Sequence, residues 1–335
     1  GPRREGQMME FGLFTVNQQF EGFRDLAQAA EGLGYGVIAF PDHFVQEGPE
    51  GQYDPHNLSY DPIITAATIL DATRSIRVAP YVLCNLFRHP AVTARSLASL
   101  DRLGKGRIIA GIGAGWTATE FKMTGIAYPE IGTRLRMLDE ALTCIRSLWT
   151  NERTNFSGEF YKLTDAILWP KPVQQPHPPI LVGGSGRGLL RIAARHADIV
   201  NVISETGKAG RLQMASMGKL THDTMRGKLD FVRGEARKLG RDPDKIAVSD
   251  TIFALTLTDS RKAAEQTAEG MAKAFGTTAA EVVKSPLALV GTPEMCIEEM
   301  KRRTREWGVS QFVFGGLGNE AALRRLYEQV LRHVG

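Results

Sequence analysis

The sequence has few cysteines, no long apolar run and no dense cluster of one charge, and each absence excludes a class of protein. Its three cysteines, Cys84, Cys144 and Cys296, lie far apart without a CxxC pair, which suits a reducing cytoplasm. No segment approaches the roughly 18 consecutive apolar residues of a membrane-spanning helix. Lys and Arg number 41 against 37 Asp and Glu, and this mild net charge of +4 gives no indication of nucleic-acid binding.

Several catalytic signatures are also missing. We find no His, Cys and Asp spacing of a structural zinc site, no Walker loop and no GxSxG nucleophile motif. The sequence therefore predicts no bound metal. Residues 1–8 are polar and carry no secretory signal, so we interpret them as a flexible N-terminus or a remnant of tag cleavage. The separated cysteines and the lack of a secretory signal favour a cytoplasmic protein.

Strand and helix signals alternate along the rest of the chain. Strands are predicted at Glu10–Thr15, Gly36–Phe40, Ile76–Cys84, Arg107–Ala110, Ile180–Val182, Asp198–Val202, Ile246–Leu257 and Gln311–Phe314. Helices are predicted at Phe20–Leu33, Pro62–Thr73, Pro90–Leu103, Arg134–Thr150, Leu189–Arg195, Thr221–Leu239, Ser260–Ala274, Pro293–Trp307 and Glu320–Arg332. Eight strands, nearly all followed by a helix, favour an α/β TIM barrel over an open doubly wound sheet. The long stretch 258–309 is predicted to be an insertion or extended crossover.

The fourth predicted strand, Arg107–Ala110, runs directly into Gly111, Gly113 and Gly115. Alternate glycines at the carboxyl end of a strand leave space for close approach of a ligand, and this edge is where α/β proteins bind ligands. The spacing is not that of a dinucleotide-binding loop, because the bulky Trp116 follows instead of a third, correctly spaced glycine. The pattern predicts a ligand loop of another kind.

The second predicted strand ends in Asp42 and His43, a pair that can donate and accept protons near neutral pH. An alternative interpretation remains open. Asp42 could cap the following segment, and His43 could be a packed polar residue.

The fifth predicted strand leads through Gly183, Gly184, Ser185 and Gly186 into a helix. Glycines at a helix start present free amides and the positive end of the helix dipole, which suits a phosphate. A flexible turn would have the same composition. At the end of the sixth strand, the side chains that could complete an anion site, or form an ordinary solvated loop, are Ser204, Thr206 and Lys208.

These segments together resemble the bacterial luciferase-like superfamily of flavin- and deazaflavin-dependent oxidoreductases, in particular the branch that uses the 8-hydroxy-5-deazaflavin coenzyme F420. The similarity covers nearly the whole chain, so residues 9–333 are interpreted as one domain. The segments that carry it are Pro41–Phe44, Phe87–Pro90, Leu100–Leu103, Gly106–Trp116, Glu120, Pro170–Pro172, Pro179–Gly186, Val290–Glu294 and Trp307–Val309.

The resemblance implies a TIM barrel with the cofactor ring over its mouth and a homodimeric assembly. It implies a bulge with a non-prolyl cis peptide at Tyr81–Val82 behind the ring. The phosphate is expected on Val182–Gly186 (with Ser204, Thr206 and Lys208 nearby), and His43 is expected to act as a catalytic base or ring partner. The residues expected to border the ring and its ribityl chain are Asp42, Gly113, Ala114, Gly115 and Thr119.

The chain departs from one subgroup of this superfamily, the sugar-phosphate dehydrogenases. Those proteins carry a glutamate at the position of Trp116 and a tryptophan near Glu47. Trp116 supplies a flat apolar wall instead, so Trp116 and Phe44 are predicted to line a substrate pocket for a hydrophobic or planar molecule.

The function implied is hydride transfer between coenzyme F420 and a small organic substrate, in the reduction of an activated double bond or the reverse oxidation. The alternative is an FMN-dependent monooxygenase fed by a separate reductase, because both cofactors would share the same sites. A cofactor carrier without catalysis is a further possibility. A metal-dependent hydrolase is disfavoured because the predicted strand ends lack His and Asp clusters.

Overall fold

The computed structural model describes residues 9–46, 52–204 and 219–334. In chain order the strands are β1 (Glu10–Phe14), β2 (Val37–Phe40), β3 (Arg77–Pro80), β4 (Leu83–Cys84), β5 (Ala110–Gly113), β6 (Thr154–Ser157), β7 (Lys162–Ala166), β8 (Ile180–Gly184), β9 (Ile199–Val202), β10 (Ala247–Ile252), β11 (Ala254–Leu257), β12 (Ala288–Gly291) and β13 (Val309–Phe314). The helices are α1 (Phe20–Leu33), α2 (Pro62–Ala72), α3 (Pro90–Leu103), α4 (Ala118–Thr124), α5 (Ile131–Thr150), α6 (Arg187–His196), α7 (His222–Lys238), α8 (Arg261–Phe275), α9 (Ala279–Lys284), α10 (Pro293–Trp307) and α11 (Glu320–Gln329).

One parallel sheet forms the centre of the molecule, in the order β3-β2-β1-β13-β10-β9-β8-β5-β4. It closes on itself because the N–H of Val78 in β3 donates to the carbonyl of Arg107 (2.9 Å) and Ile109 donates to the carbonyl of Val78 (2.9 Å). Only Tyr81 and Val82 separate β3 from β4, so these two strands share one position in the ring. Eight strand positions in a closed parallel ring make a TIM barrel, as predicted.

The helices that cover the barrel follow the apolar periodicity of the sequence. In α1 the buried residues lie on one face of the helix, and they are Phe23, Leu26, Ala27 and Ala30. A left-handed glycine, Gly34 with φ of +95°, ends this helix and its N–H bonds to the last carbonyls.

One predicted strand is displaced by three residues. The sequence favoured Arg107–Ala110, but β5 runs over Ala110–Gly113 and contains Gly111 and Gly113. The reason is a close approach between neighbouring strand positions. A Cβ on Gly111 would lie 1.9 Å from the carbonyl oxygen of Pro80, so only glycine allows this strand to pass.

The predicted long strand Ile246–Leu257 is two strands, β10 and β11, which are separated at Phe253. β10 belongs to the barrel, whereas β11 pairs in parallel with β12, a strand that the sequence analysis missed. The region 258–309, predicted to be an insertion or an extended crossover, contains α8, α9, β12 and α10. It has its own small apolar core, formed by Ala268, Ala272, Val282, Ala288 and Val290.

The barrel interior contains an apolar layer and a network of polar side chains. The hydroxyl of Tyr81 reaches into it and hydrogen-bonds to Ser249 (3.1 Å) and to the side-chain oxygen of Gln311. The amide nitrogen of Gln311 donates to Glu10 at 2.6 Å, and Arg77 lies 3.4 Å from the same carboxylate. The surrounding layer is made of aliphatic side chains, namely Val37, Ala39, Ala79, Ile109, Leu181, Ile199 and Val313.

Candidate active site

The predicted site residues that the structure describes lie at the carboxyl ends of the barrel strands, on one rim. His43 follows β2 and its ring contacts Trp116, which follows β5, with ring centroids 5.5 Å apart. Val82 lies against Gly113 of β5 and Gly183 of β8. Ser204 comes two residues after β9, whereas Thr206 and Lys208 fall outside the described residues.

The rim contains a histidine–carboxylate pair that the sequence analysis did not predict. Nδ1 of His43 lies 2.9 Å from Oε2 of Glu120, whose side chain is 2% exposed. The other oxygen of Glu120 accepts the backbone N–H of Phe44 (2.5 Å) and of Val45 (3.2 Å). Glu120 therefore acts as an acceptor towards all three groups, which places a proton on Nδ1 of His43 and leaves its Nε2 available.

Glu120 was noted in the sequence only as a residue that carries the family resemblance. It lies in the first turn of α4, where an acidic residue is also expected from the helix dipole alone. Its partner His43 is 77 residues away in sequence, so the local pattern gave no signal for the pair.

Asp42 is engaged with other protein groups. Its carboxylate accepts the N–H of Cys84 (2.9 Å) and the guanidinium of Arg88 (2.6 Å), and Arg88 also binds Asp61 at 2.8 Å. Burial opposes the charge on Arg88, but its bonds to Asp42 more than compensate and raise the pKa of Arg88. The contacts indicate that Asp42 ties the ends of two barrel positions together. Its predicted place beside a cofactor ring stays a prediction.

A bulge separates β3 from β4, and its Tyr81–Val82 peptide bond is cis, as the resemblance implied. The Val82 side chain lies over glycines of the adjoining strands. A Cβ on Gly113 would be 2.5 Å from Cγ2 of Val82, and one on Gly183 would be 3.3 Å from its Cγ1. The glycines therefore give Val82 room at the centre of the rim, where it presents an apolar surface.

The loop Val182–Gly186 leads from β8 into α6. Gly184 has a φ of +149°, and a Cβ there would lie 2.0 Å from Cδ2 of Leu189, so glycine is required. Gly186 is the N-cap of α6 and provides no side-chain cap for its first turn. The hydroxyl of Ser185 is buried and has no hydrogen-bond partner in the described part of the chain. Unpaired donors at a helix N-terminus fit a phosphate.

An aromatic wall borders His43. The hydroxyl of Tyr128 donates to the carbonyl of Trp116 at 2.9 Å, which holds the loop after β5 in place. Phe44 is 50% exposed and packs edge-on against Phe87, with ring centroids 5.0 Å apart. Half-exposed aromatic rings beside a histidine suit an apolar ligand.

Three further predicted residues lie in and after the loop that follows β5. Ala114 is buried and Thr119 is half-buried in α4. Gly115 has a φ of +77°, and a Cβ there would lie 2.8 Å from the sulfur of Cys84. This close contact requires glycine and brings the loop onto the end of β4.

The three cysteines are buried free thiols. Burial raises the pKa of Cys84 to about 12, of Cys144 to about 11 and of Cys296 to about 12. None forms a disulfide. All three therefore remain protonated near neutral pH and act as small apolar side chains.

Residues 9–46, 52–204 and 219–334 contain no group of three or more His, Cys, Asp or Glu side chains arranged to hold a metal ion. None of their helices combines the length and apolarity needed to cross a membrane.

The family model of the luciferase-like monooxygenases matches residues 9–280. The chain belongs to this family. This luciferase-like protein is 28% identical over 337 residues to a protein of Amycolatopsis mediterranei (strain U-32) named F420-dependent glucose-6-phosphate dehydrogenase, covering 97% of this chain and 98% of that relative. It is 32% identical over 176 residues to an FMNH2-dependent dimethylsulfone monooxygenase of Pseudomonas putida, covering 52% of this chain and 46% of that relative.

Among solved structures, an F420-dependent secondary alcohol dehydrogenase in complex with an F420-acetone adduct superposes with a TM-score of 0.75. The identity is 21%, with coverage of 98% of this chain and 99% of the other. This likeness establishes the shared barrel fold of the luciferase-like protein.

Proposed function

We propose that this luciferase-like protein is an F420-dependent oxidoreductase. It would move a hydride between the deazaflavin and a small organic substrate, in the reduction of an activated double bond or in the reverse oxidation. One observation carries the choice of cofactor. Similarity to a relative named as an F420-dependent dehydrogenase extends over 97% of this chain, whereas similarity to the FMNH2-dependent monooxygenase covers 52% of it.

The residues at the rim fit such a cofactor. The loop Val182–Gly186 would hold the phosphate, because the first-turn amides of α6 and the buried hydroxyl of Ser185 offer unpaired donors. Val82 would support the flat ring from the barrel side. When bound, F420 supplies a carbon that carries two electrons as hydride, and the protein supplies position, shielding and proton transfer.

His43 would hold or release the proton that accompanies hydride transfer. Glu120 fixes the ring through Nδ1, which leaves Nε2 to receive a proton from an alcohol or to give one to a reduced product. In this role Glu120 is a positioning residue, since its own oxygens are occupied by His43 and by two backbone N–H groups.

The substrate would be uncharged and largely apolar. Trp116 and Phe44 offer aromatic surface next to His43, and the nearby cation Arg88 is bound to Asp42 and Asp61. A phosphorylated sugar would find no charge complement in these side chains. An activated enone or a small secondary alcohol meets the description.

Cofactor binding tests the proposal directly. The purified protein is titrated into F420 and, separately, into FMN, and the fluorescence of each cofactor is followed. We expect saturable micromolar binding of F420 and at least about tenfold weaker binding of FMN. Micromolar binding of FMN without binding of F420 would reverse the choice and favour the monooxygenase alternative.

We also propose, on the family resemblance and the three buried free thiols, that the protein is a cytoplasmic homodimer. Light scattering of the purified protein measures the assembly, and a monomer mass at micromolar concentration would contradict it.

A further inference from the structure

Two phenylalanine rings meet on a part of the rim that the candidate site does not include. Phe14 is the last residue of β1, and Phe253 directly follows β10. Their rings are in edge-to-face contact, with centroids 5.8 Å apart and ring planes at 83°. Phe253 is 42% exposed. The Phe14–Phe253 pair therefore presents aromatic surface that the core of the protein does not cover.

Both rings lie at the mouth of the barrel. Ser249 of β10 bonds to the hydroxyl of Tyr81 inside the barrel. Side chains alternate between the two faces of a strand, so Phe253, four residues further on, continues the series that faces inwards. Phe14 packs against the same inner apolar layer as Val82. The pair therefore faces the mouth that Val82 also faces, and not the helices outside the barrel.

A glycine between the two strands allows the rings to meet. β13 lies between β1 and β10, and its last residue pairs with the residue before Phe14 and with the residue before Phe253. The next residue of the chain, Gly315, therefore lies between the two phenylalanines. Its N–H donates to the carbonyl of Ile252 at 2.8 Å, which holds it against the end of β10. Because Gly315 has no side chain, the two rings come into contact across β13.

The distance from His43 to the pair sets the size of a molecule that could touch both. Round the barrel from β2, which His43 follows, the next strands are β1, β13 and β10. At about 4.8 Å per strand, β2 and β10 are roughly 14 Å apart along the ring of strands. A small enone placed beside His43 is too short to reach Phe253. An enone that carries a phenyl group spans most of this distance.

We propose that Phe14 and Phe253 bind an aromatic ring of the substrate. Resting on the proposed function, this makes the substrate an aryl-substituted conjugated carbonyl compound whose double bond lies beside His43. Its reduction adds a hydride from reduced F420 to the carbon β to the carbonyl and a proton to the α carbon, which gives the saturated carbonyl compound and oxidised F420. The edge-to-face pair offers the aryl group a ring face and a ring edge, the two contacts that aromatic rings prefer.

The test measures the affinities of benzylideneacetone and ethylideneacetone by ligand-observed NMR titration, without cofactor and with oxidised F420. The two enones differ only in the group on the β carbon, which is phenyl in the first and methyl in the second. For the wild type we expect the phenyl compound to bind at least about tenfold more tightly, because it buries a ring instead of a methyl group. Phe253→Ala should reduce this ratio to less than about threefold.

Leu239→Ala is the matched control and should preserve the wild-type ratio. Leu239 is 45% exposed, which is similar to Phe253, but it caps the C-terminal end of α7, at the opposite end of the barrel from the rim. Equal affinity of the wild type for the two enones would overturn the aryl site, and so would an unchanged ratio in Phe253→Ala or an equal loss in Leu239→Ala. Failure of F420 to bind would overturn the proposed function instead, while the titrations without cofactor would still decide on the aryl site.

Discussion

Replacing His43 by asparagine is expected to lower kcat by about 10²–10⁴-fold, the usual loss when a general acid or base is removed. Asparagine is close in size to histidine but cannot exchange a proton near neutral pH. The affinity for F420 should change less than about threefold, because the ring and phosphate would be held by Val82 and by the loop Val182–Gly186. A loss confined to kcat is the expected signature of a proton-transfer residue.

Two assays measure this effect, one for each direction of hydride transfer. In the first, reduced F420 reduces cyclohexenone, and in the second, oxidised F420 oxidises isopropanol. The rate is followed by the absorbance of the oxidised deazaflavin. The variants are compared with the wild type in whichever of the two assays the wild type performs faster. Glu120→Gln keeps the size of the side chain and should lower kcat by about tenfold, as expected for a group that orients a reacting histidine. Unchanged turnover in His43→Asn would remove His43 from the chemistry.

Replacing Arg303 by methionine is expected to destabilise the protein by about 3–5 kcal/mol, as for a buried ion pair that loses one partner. Arg303 is fully buried in α10 and binds Asp250 of β10 at 2.9 Å. The same guanidinium donates to the carbonyls of Ser285, Pro286 and Ala288 at 2.8, 3.0 and 2.6 Å. It therefore ties α10 both to β10 and to the segment that precedes β12, and its loss would leave the buried carboxylate of Asp250 without its cation and remove the bonds to three carbonyls.

Urea unfolding monitored by tryptophan fluorescence gives the loss of stability. Burial raises the pKa of Asp250 and Arg303 opposes that rise, so without Arg303 the folded protein takes up a proton there more readily. A carboxyl group whose pKa is raised on folding destabilises the folded protein when it is ionised, and this penalty disappears at low pH, where it is protonated. The loss of stability caused by Arg303→Met should therefore shrink as the pH falls.

The neighbouring Arg302→Gln is the matched control for Arg303→Met. It removes a partly exposed guanidinium paired with Glu299 and Glu306, and it should cost less than about 1 kcal/mol. Equal losses in the two variants would contradict the assignment of Arg303 as the buried fastening.

The local signals of the sequence predicted the number of barrel strands and all the helices of the described residues except the short α4 and α9. Pro90 at the first turn and the apolar spacing up to Leu103 gave both ends of α3, because capping and periodicity are local properties. The position of β5 differs from the predicted one because alternate glycines are typical of a loop, whereas here they allow β5 to pass the backbone of Pro80. That contact joins residues distant in sequence and has no local pattern.

In the candidate site, too, the local motifs were predictable from the sequence and the contacts between distant residues were not. The glycines before α6 and the Asp42–His43 pair were visible as strand-end motifs, and the position of the cis peptide came from the family resemblance. The partners of these residues were not visible. Glu120 lies 77 residues from His43 and Arg88 lies 46 residues from Asp42, and only the closed barrel brings each pair together. Sequence reasoning thus found the groups but not the contacts that assign their roles.

The central claim is that coenzyme F420 binds on the rim of the barrel, with its ring over Val82 and its phosphate at Val182–Gly186. A crystal structure of the protein with F420 tests this most directly. We expect the phosphate in hydrogen bonds with the Ser185 hydroxyl and the first-turn amides of α6, and Nε2 of His43 facing the space beside the ring. Density for F420 at another surface, with the loop Val182–Gly186 empty, would contradict it.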